Sequence, residues 1–245
     1  MHLLVTRPEA EAQALRAQLQ ALGQTVTVDP LMRIETIPIP ADALQGCVGT
    51  IATSRNGLRA LAASPAISAA RGLPLLAVGP GTAALARDLG FADVTAGKGT
   101  GAELVPLIVE RARMLSGPLA HVRGEEVAFN LKEALSGHGI KLLKLIAYRS
   151  IPADALRTET QKLLAEGKID GVILMSPRTA TIFAGLIRAA GLEKPARGLV
   201  LLCLSKAVAA AAEPIASARV EVAETPDMEG MLSAVTRVAT LWSGV

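Results

Sequence analysis

Cysteine is nearly absent: Cys47 and Cys203 are the only two, far apart and in no Cys-x-x-Cys arrangement, which excludes a disulfide framework and offers nothing for a zinc knuckle. Both read as small buried hydrophobes. Histidine is scarce as well. His2, His121 and His138 share no helical spacing with one another or with the cysteines, so a metal site would need wholly distant segments and none is expected. One Trp, one Tyr and three Phe leave few rings for base stacking, and the net charge of +3 contains no Lys/Arg block; nucleic acid is therefore disfavoured as a partner. No apolar run approaches the roughly 20 residues that a membrane-spanning helix needs. Residues 1–5 are too short for a signal sequence ahead of Arg7 and Glu9, so a soluble, cytoplasmic chain with no membrane partner is expected.

What is present is a chain of 245 residues, 51% hydrophobic and 19% charged, able to bury a sizeable core as one large domain or two small ones. Short β-branched apolar runs alternate with longer alanine-rich amphipathic stretches, the pattern of an α/β protein. Strands are predicted over 2–6, 26–28, 47–52, 75–78 and 92–95, and helices over 9–22, 56–63, 82–89 and 102–114. The second half repeats this order, with strands at 118–122, 141–148, 169–175, 199–204 and 220–222 and helices at 125–136, 179–190, 207–216 and 228–241.

Local matches make the repeat more than a list of elements. VTRPEAEAQALRAQLQALG aligns with HVRGEEVAFNLKEALSGHG, TSRNGLRALAA with MSPRTATIFAG, and AVGPGTAALA with LCLSKAVAAA. The hexapeptide IPADAL occurs at 39–44 and again at 151–156, between the first and second matched pair in both halves. In each copy the proline favours extended chain before it, and the Asp is suited to cap a helix that follows.

In open parallel sheets ligands bind beyond the carboxyl ends of the strands, where helices begin. The residues there are Thr6-Arg7, Thr53-Ser54-Arg55, Gly79-Pro80-Gly81-Thr82, the glycine-rich 97–101, Arg123-Gly124, Ser176-Pro177-Arg178, Ser205-Lys206 and Pro226-Asp227. Almost every one offers a hydroxyl, a glycine or a cation. Small residues admit a ligand to free backbone N–H groups, and the helix dipole adds attraction for negative charge, so carboxylates or phosphates suit these ends. A single Ser or Thr here reads first as an N-cap contributing about 1 kcal/mol to its helix. GPGTAA lacks the third glycine of a dinucleotide fingerprint, and GKGTGAEL has the wrong spacing for a P-loop, so a nucleotide-dependent enzyme is disfavoured. No Ser/His/Asp set or paired acid motif appears; an enzyme of this composition works by holding and shaping its substrate. Tyr148, the only tyrosine, closes a predicted strand just before the second IPADAL. A lone tyrosine there either packs its ring with a wet hydroxyl or presents that hydroxyl to a ligand.

The motifs VTRP, TSRNGLRAL, AVGPGTAALARDLGF, the Gly-x-Gly-x-Glu-Leu stretch ending at Leu104, HVRGE, YRS, SPRTA and TPDMEGMLSAV run through nearly the whole chain in one order. Together they resemble the uroporphyrinogen-III synthase family, the cofactor-independent enzymes of tetrapyrrole biosynthesis. The resemblance implies two flavodoxin-like α/β domains with a cleft between them, joined by two linker strands near 36–41 and 149–154. It implies an interleaved path in which 1–38 and 153–245 form one domain and 39–152 the other.

The implied reaction closes the linear tetrapyrrole hydroxymethylbilane to uroporphyrinogen III, with loss of water and inversion of ring D, and requires no cofactor and no metal. Carried over by position, Tyr148 is the catalytic candidate, a phenol to donate to the leaving hydroxyl. Thr82, Ser54 and Ser176 match substrate-binding positions. Arg7, Arg123, Arg178 and Lys206 join them on charge, with Thr6, Arg55, Gly79, Gly101, Gly124 and Ser205 as strand-end neighbours. The second half departs from the family pattern at Leu204-Ser205-Lys206-Ala207-Val208, where a second Gly-Pro-x-Thr would stand. The expected partner is a linear tetrapyrrole polycarboxylate. A monomer is expected, in transient contact at most with the preceding pathway enzyme. The competing reading, a non-catalytic two-domain anion-binding or sensor module, predicts an export signal or an attached output domain.

Overall fold

The computed structural model describes all 245 residues except Ala128, Ala216, Ala218 and residues 243–245. In chain order the elements are β1 (His2–Val5), α1 (Glu9–Ala21), β2 (Thr25–Val28), β3 (Met32–Thr36), β4 (Gly49–Ala52), α2 (Arg55–Ala62), α3 (Ile67–Arg71), β5 (Leu75–Ala77), α4 (Pro80–Asp88), β6 (Val94–Ala96), α5 (Gly101–Met114), β7 (Leu119–Gly124), α6 (Leu131–Ala134), β8 (Leu142–Pro152), α7 (Thr158–Ala165), β9 (Gly171–Leu174), α8 (Pro177–Ala189), α9 (Glu193–Ala196), β10 (Val200–Cys203), α10 (Lys206–Ala212), β11 (Arg219–Val222) and α11 (Met228–Trp242). Two compact units result: Met1–Arg33 with Ile151–Val245, and Ile34–Ser150.

The first unit carries a five-stranded sheet in the order β11-β10-β9-β1-β2, with parallel pairing throughout. Counted along the unit's own chain, this is the flavodoxin-type order 2-1-3-4-5. Successive side chains of a strand point to opposite faces. Leu3, Val5, Ile173, Val200 and Leu202 accordingly meet α1 and α11 on one side through Leu15, Leu19, Met231 and Val235. Leu4, Val172, Leu174, Leu201 and Cys203 face Phe183, Ile187 and Val208 of α8 and α10 on the other. Phe183 is wholly buried, a burial that contributes on the order of 1.5–3 kcal/mol.

The second unit holds a six-stranded sheet in the order β3-β8-β7-β4-β5-β6. From β8 to β6 it is parallel and has the same 2-1-3-4-5 order, if β7 and β8 are taken first. Ala52, Ala77, Ala120 and Val122 pack under α2 and α4. Ile51, Leu76 and Leu119 pack on the opposite face under Leu104 and Ile108 of α5, Leu131 of α6 and Leu135 just after it. The added strand β3 pairs with β8. The Ala153 N–H donates to the Leu31 carbonyl and the Ile37 N–H to that of Ala147; a rise of six on one strand matches a fall of six on the other, an antiparallel register. Both unit boundaries fall within this pair of strands.

The expected parallel α/β architecture is present, with local corrections. The helix predicted over 125–136 is absent among its described residues up to Asn130; only α6 and a 3-10 turn at Ser136–His138 form. Arg123 donates to the carbonyls of Gly124 and Glu125 just after β7, and Phe129 packs on Gly101 at the start of α5 instead of lying in a helix. No helix starts at either IPADAL aspartate: residues 41–46 form turns, and α7 begins at Thr158 behind an Arg157 without a side-chain cap. The strand predicted to close at Tyr148 continues to Pro152, because β3 lies alongside it. Helices α3, α7 and α9 add to the predicted set, although Leu164 and the left-handed Gly167 mark the end of α7. The last predicted position of the 207–216 helix, Ala216, lies outside the described residues; α10 itself ends at Ala212.

Candidate functional site

In the second unit β7 leads to β8 on one side and β4 leads to β5 on the other, so the carboxyl ends of β7 and β4 flank a topological switch point. A pocket of about 540 Å³ opens there, lined by Thr53 and Ser54 after β4, Gly99 to Ala102 at the start of α5, Gly124 at the end of β7, Glu126, Val127 and Phe129 after it, and Tyr148 of β8. Ser54 caps α2, its Oγ accepting the Asn56 N–H at 3.0 Å. Thr100 caps α5 in a reciprocal capping box with Glu103.

Glycine makes room at three points. A Cβ on Gly124 would lie 2.8 Å from Cζ of Tyr148, and one on Gly101 would lie 2.7 Å from the Phe129 ring. A Cβ on Gly79 would lie 2.9 Å from the Gly99 Cα, and Gly99 itself adopts a φ of 129°. Beneath the floor, His121 is 2% exposed, and its Nε2 lies 3.0 Å from Thr53 Oγ1. Burial, with Arg123 and Lys144 adding repulsion, pushes the pKa of His121 down to about 4, so the ring is neutral at neutral pH.

Of the sequence-derived candidates, Ser54, Gly101, Gly124 and Tyr148 come together in this pocket. Arg55 is exposed on the first turn of α2, Gly79 is buried at the start of α4, and Thr82 is 7% exposed within α4; none of the three lines the pocket. Arg123 is occupied by its two carbonyl contacts. Composition and spacing do not single out Val127 or Phe129. Both fall within the stretch whose pattern reads as a helix over 125–136, so nothing local marks them as pocket residues.

The first unit has its own switch point between β1 and β9. Thr6 is fully buried, donating its hydroxyl to the Ile173 carbonyl at 2.9 Å, which ties β1 to β9. Arg7 pairs with Glu11. Ser176 caps α8 by accepting the Thr179 N–H at 3.1 Å, with Arg178 half-buried in the same first turn. Ser205 caps α10 through the Val208 N–H at 3.4 Å, and Lys206 is exposed beside it. Among the described residues, no group of three or more His, Cys, Asp or Glu side chains is gathered for a metal ion. Nor, among them, is any helix long and apolar enough to cross a membrane.

Two doubly wound α/β units of flavodoxin-type order, each with hydroxyls and helix N-termini at the carboxyl ends of its strands, define the architecture of the protein. The family model described as uroporphyrinogen-III synthase HemD matches residues 13–233. The chain belongs to the uroporphyrinogen-III synthase family. Among solved structures, the uroporphyrinogen-III synthetase of Helicobacter pylori is similar at 18% identity and a TM-score of 0.69, over 97% of this chain and 100% of that one. A mutant uroporphyrinogen III synthase of Thermus thermophilus is similar at 21% identity and a TM-score of 0.59, over 98% and 99%. At such identities the likeness concerns the fold. No curated protein sequence matches the chain significantly.

Proposed function

We propose that the chain closes hydroxymethylbilane to uroporphyrinogen III, with loss of water and inversion of ring D, and that the pocket of the second unit takes part in this reaction. The observation that carries the activity is the family match over residues 13–233. What supports the site is the placement of Tyr148 at a switch point beside Ser54, Gly101 and the start of α5. Every ring of the substrate bears acetate and propionate groups, and hydroxyls with helix-end N–H groups are suitable donors for them. A hydrogen bond to a charged group contributes about 1.5–3 kcal/mol, so several such contacts hold a polyanion without an arginine clamp.

In this reading Tyr148 donates to the terminal hydroxyl as it leaves, giving an azafulvene cation. The substituted carbon of ring D then attacks the methylene of that cation, and the spiro intermediate so formed leads, by breaking ring D's original bond to the chain and re-forming it at the ring's other α-carbon, to the inverted ring. The same precursor closes without inversion in water, so the protein's contribution is to hold the chain in the geometry that the free bilane disfavours. The proposal includes Thr82, Ser176, Arg178, Ser205 and Lys206 as further substrate contacts, no cofactor, and a cytoplasmic monomer; sedimentation at the mass of one 25.3 kDa chain would check the last point. The deciding experiment supplies fresh hydroxymethylbilane with no cofactor and identifies the isomer. Type III product formed faster than the background reaction is expected, and type I product alone, at the uncatalysed rate, would sink the proposal.

A further inference from the structure

We infer that His121 is a positioning residue: its Nε2–H donates to Thr53, which turns the threonine's own hydroxyl proton into the pocket as a donor for a substrate carboxylate. This rests on the reading of the pocket as a carboxylate site. His121 stands on β7 in register with Ile51 of β4, on the face covered by α5. Thr53 lies two residues beyond Ile51 toward the strand end, and the imidazole spans that offset to place Nε2 at 3.0 Å from Oγ1. The ring is buried, whereas Thr53 lines the pocket. One member of the pair therefore meets ligand and the other acts only through it.

A threonine hydroxyl has one proton. If Nε2 accepts that proton, Thr53 shows the pocket only lone pairs, which repel a carboxylate. If Nε2 carries the hydrogen and donates, the hydroxyl proton is left to point at the ligand. Anion recognition selects the second state. It also accounts for a buried polar ring in a sheet face otherwise lined by Ile51, Leu76 and Leu119, where an unsatisfied polar group is costly.

The experiment has two arms. Nitrogen NMR of the folded protein labelled with 15N-histidine should show the His121 Nε2 bearing the proton near neutral pH; an unprotonated Nε2 would overturn the inference whatever the activity. In kinetics, Thr53→Val and His121→Leu should each raise KM about tenfold, the weight of one hydrogen bond to a charged group, with kcat within about twofold. The double variant should be no worse than Thr53→Val alone, while additive losses would show that His121 does not act through Thr53. Should His121→Leu not fold, the NMR arm decides. A wild-type protein giving only type I product fails the carboxylate-site reading itself, a result distinct from a wrong tautomer.

Discussion

Gly124 and Tyr148 are register partners on β7 and β8, at an irregularity between Arg123 and Gly124, and the tyrosine ring lies over the glycine. A side-chain carbon on Gly124 would sit 2.8 Å from Cζ and 3.0 Å from the phenolic oxygen. The absence of a side chain at residue 124 thus sets where the one tyrosine can place its hydroxyl. Gly124→Ala should push the ring aside and lower kcat, while overpacking costs about 1–3 kcal/mol of stability. Steady-state kinetics alongside urea unfolding check it; wild-type kcat in a destabilised variant would separate the ring's position from the chemistry.

Tyr148→Phe keeps the ring on Gly124 and removes only the hydroxyl. Turnover should fall roughly a hundredfold, the lower range for a lost general acid, with the unfolding midpoint little changed. Single-turnover rates measured with thermal unfolding test this, and unchanged turnover would remove Tyr148 from the mechanism.

His121 makes stability depend on pH. Its folded pKa of about 4 lies below the 6.5 of an ordinary histidine. Between these values the unfolded chain binds a proton that the folded one does not. Stability is therefore full above about pH 6.5 and is lost as pH falls toward 4, at a slope of about 1.4 kcal/mol per pH unit across that window. Urea titrations at pH 7.5 and 5 should show this loss in the wild type and a smaller one in His121→Leu.

Asp29 is 2% exposed at the end of β2, and it accepts the Arg157 backbone N–H at 2.9 Å at the entry to α7, which has no side-chain cap of its own. Asp29→Ala should cost about 1–3 kcal/mol, the range for a broken buried hydrogen bond. Denaturant unfolding reads the cost directly; an unchanged midpoint would show that water replaces the carboxylate.

Periodicity alone made the alternation of strands and helices legible, because one-face and two-face burial leave periods of 3.6 and 2 in the residues themselves. The strand-end hydroxyls and glycines were legible for the same reason: Ser54, Ser176 and Ser205 cap the helices that follow them, a local interaction within three residues. The order of the motifs also carried the resemblance to one family. What local pattern could not decide was adjacency. Thr53 meets His121 only because β4 pairs with β7 across 68 residues of chain, and Phe129, within a helical pattern, instead packs on Gly101 at the start of α5. Helix and strand periods are written into neighbouring residues, whereas a pocket at a switch point depends on which strands the chain brings side by side, and only the packed tertiary structure decides that.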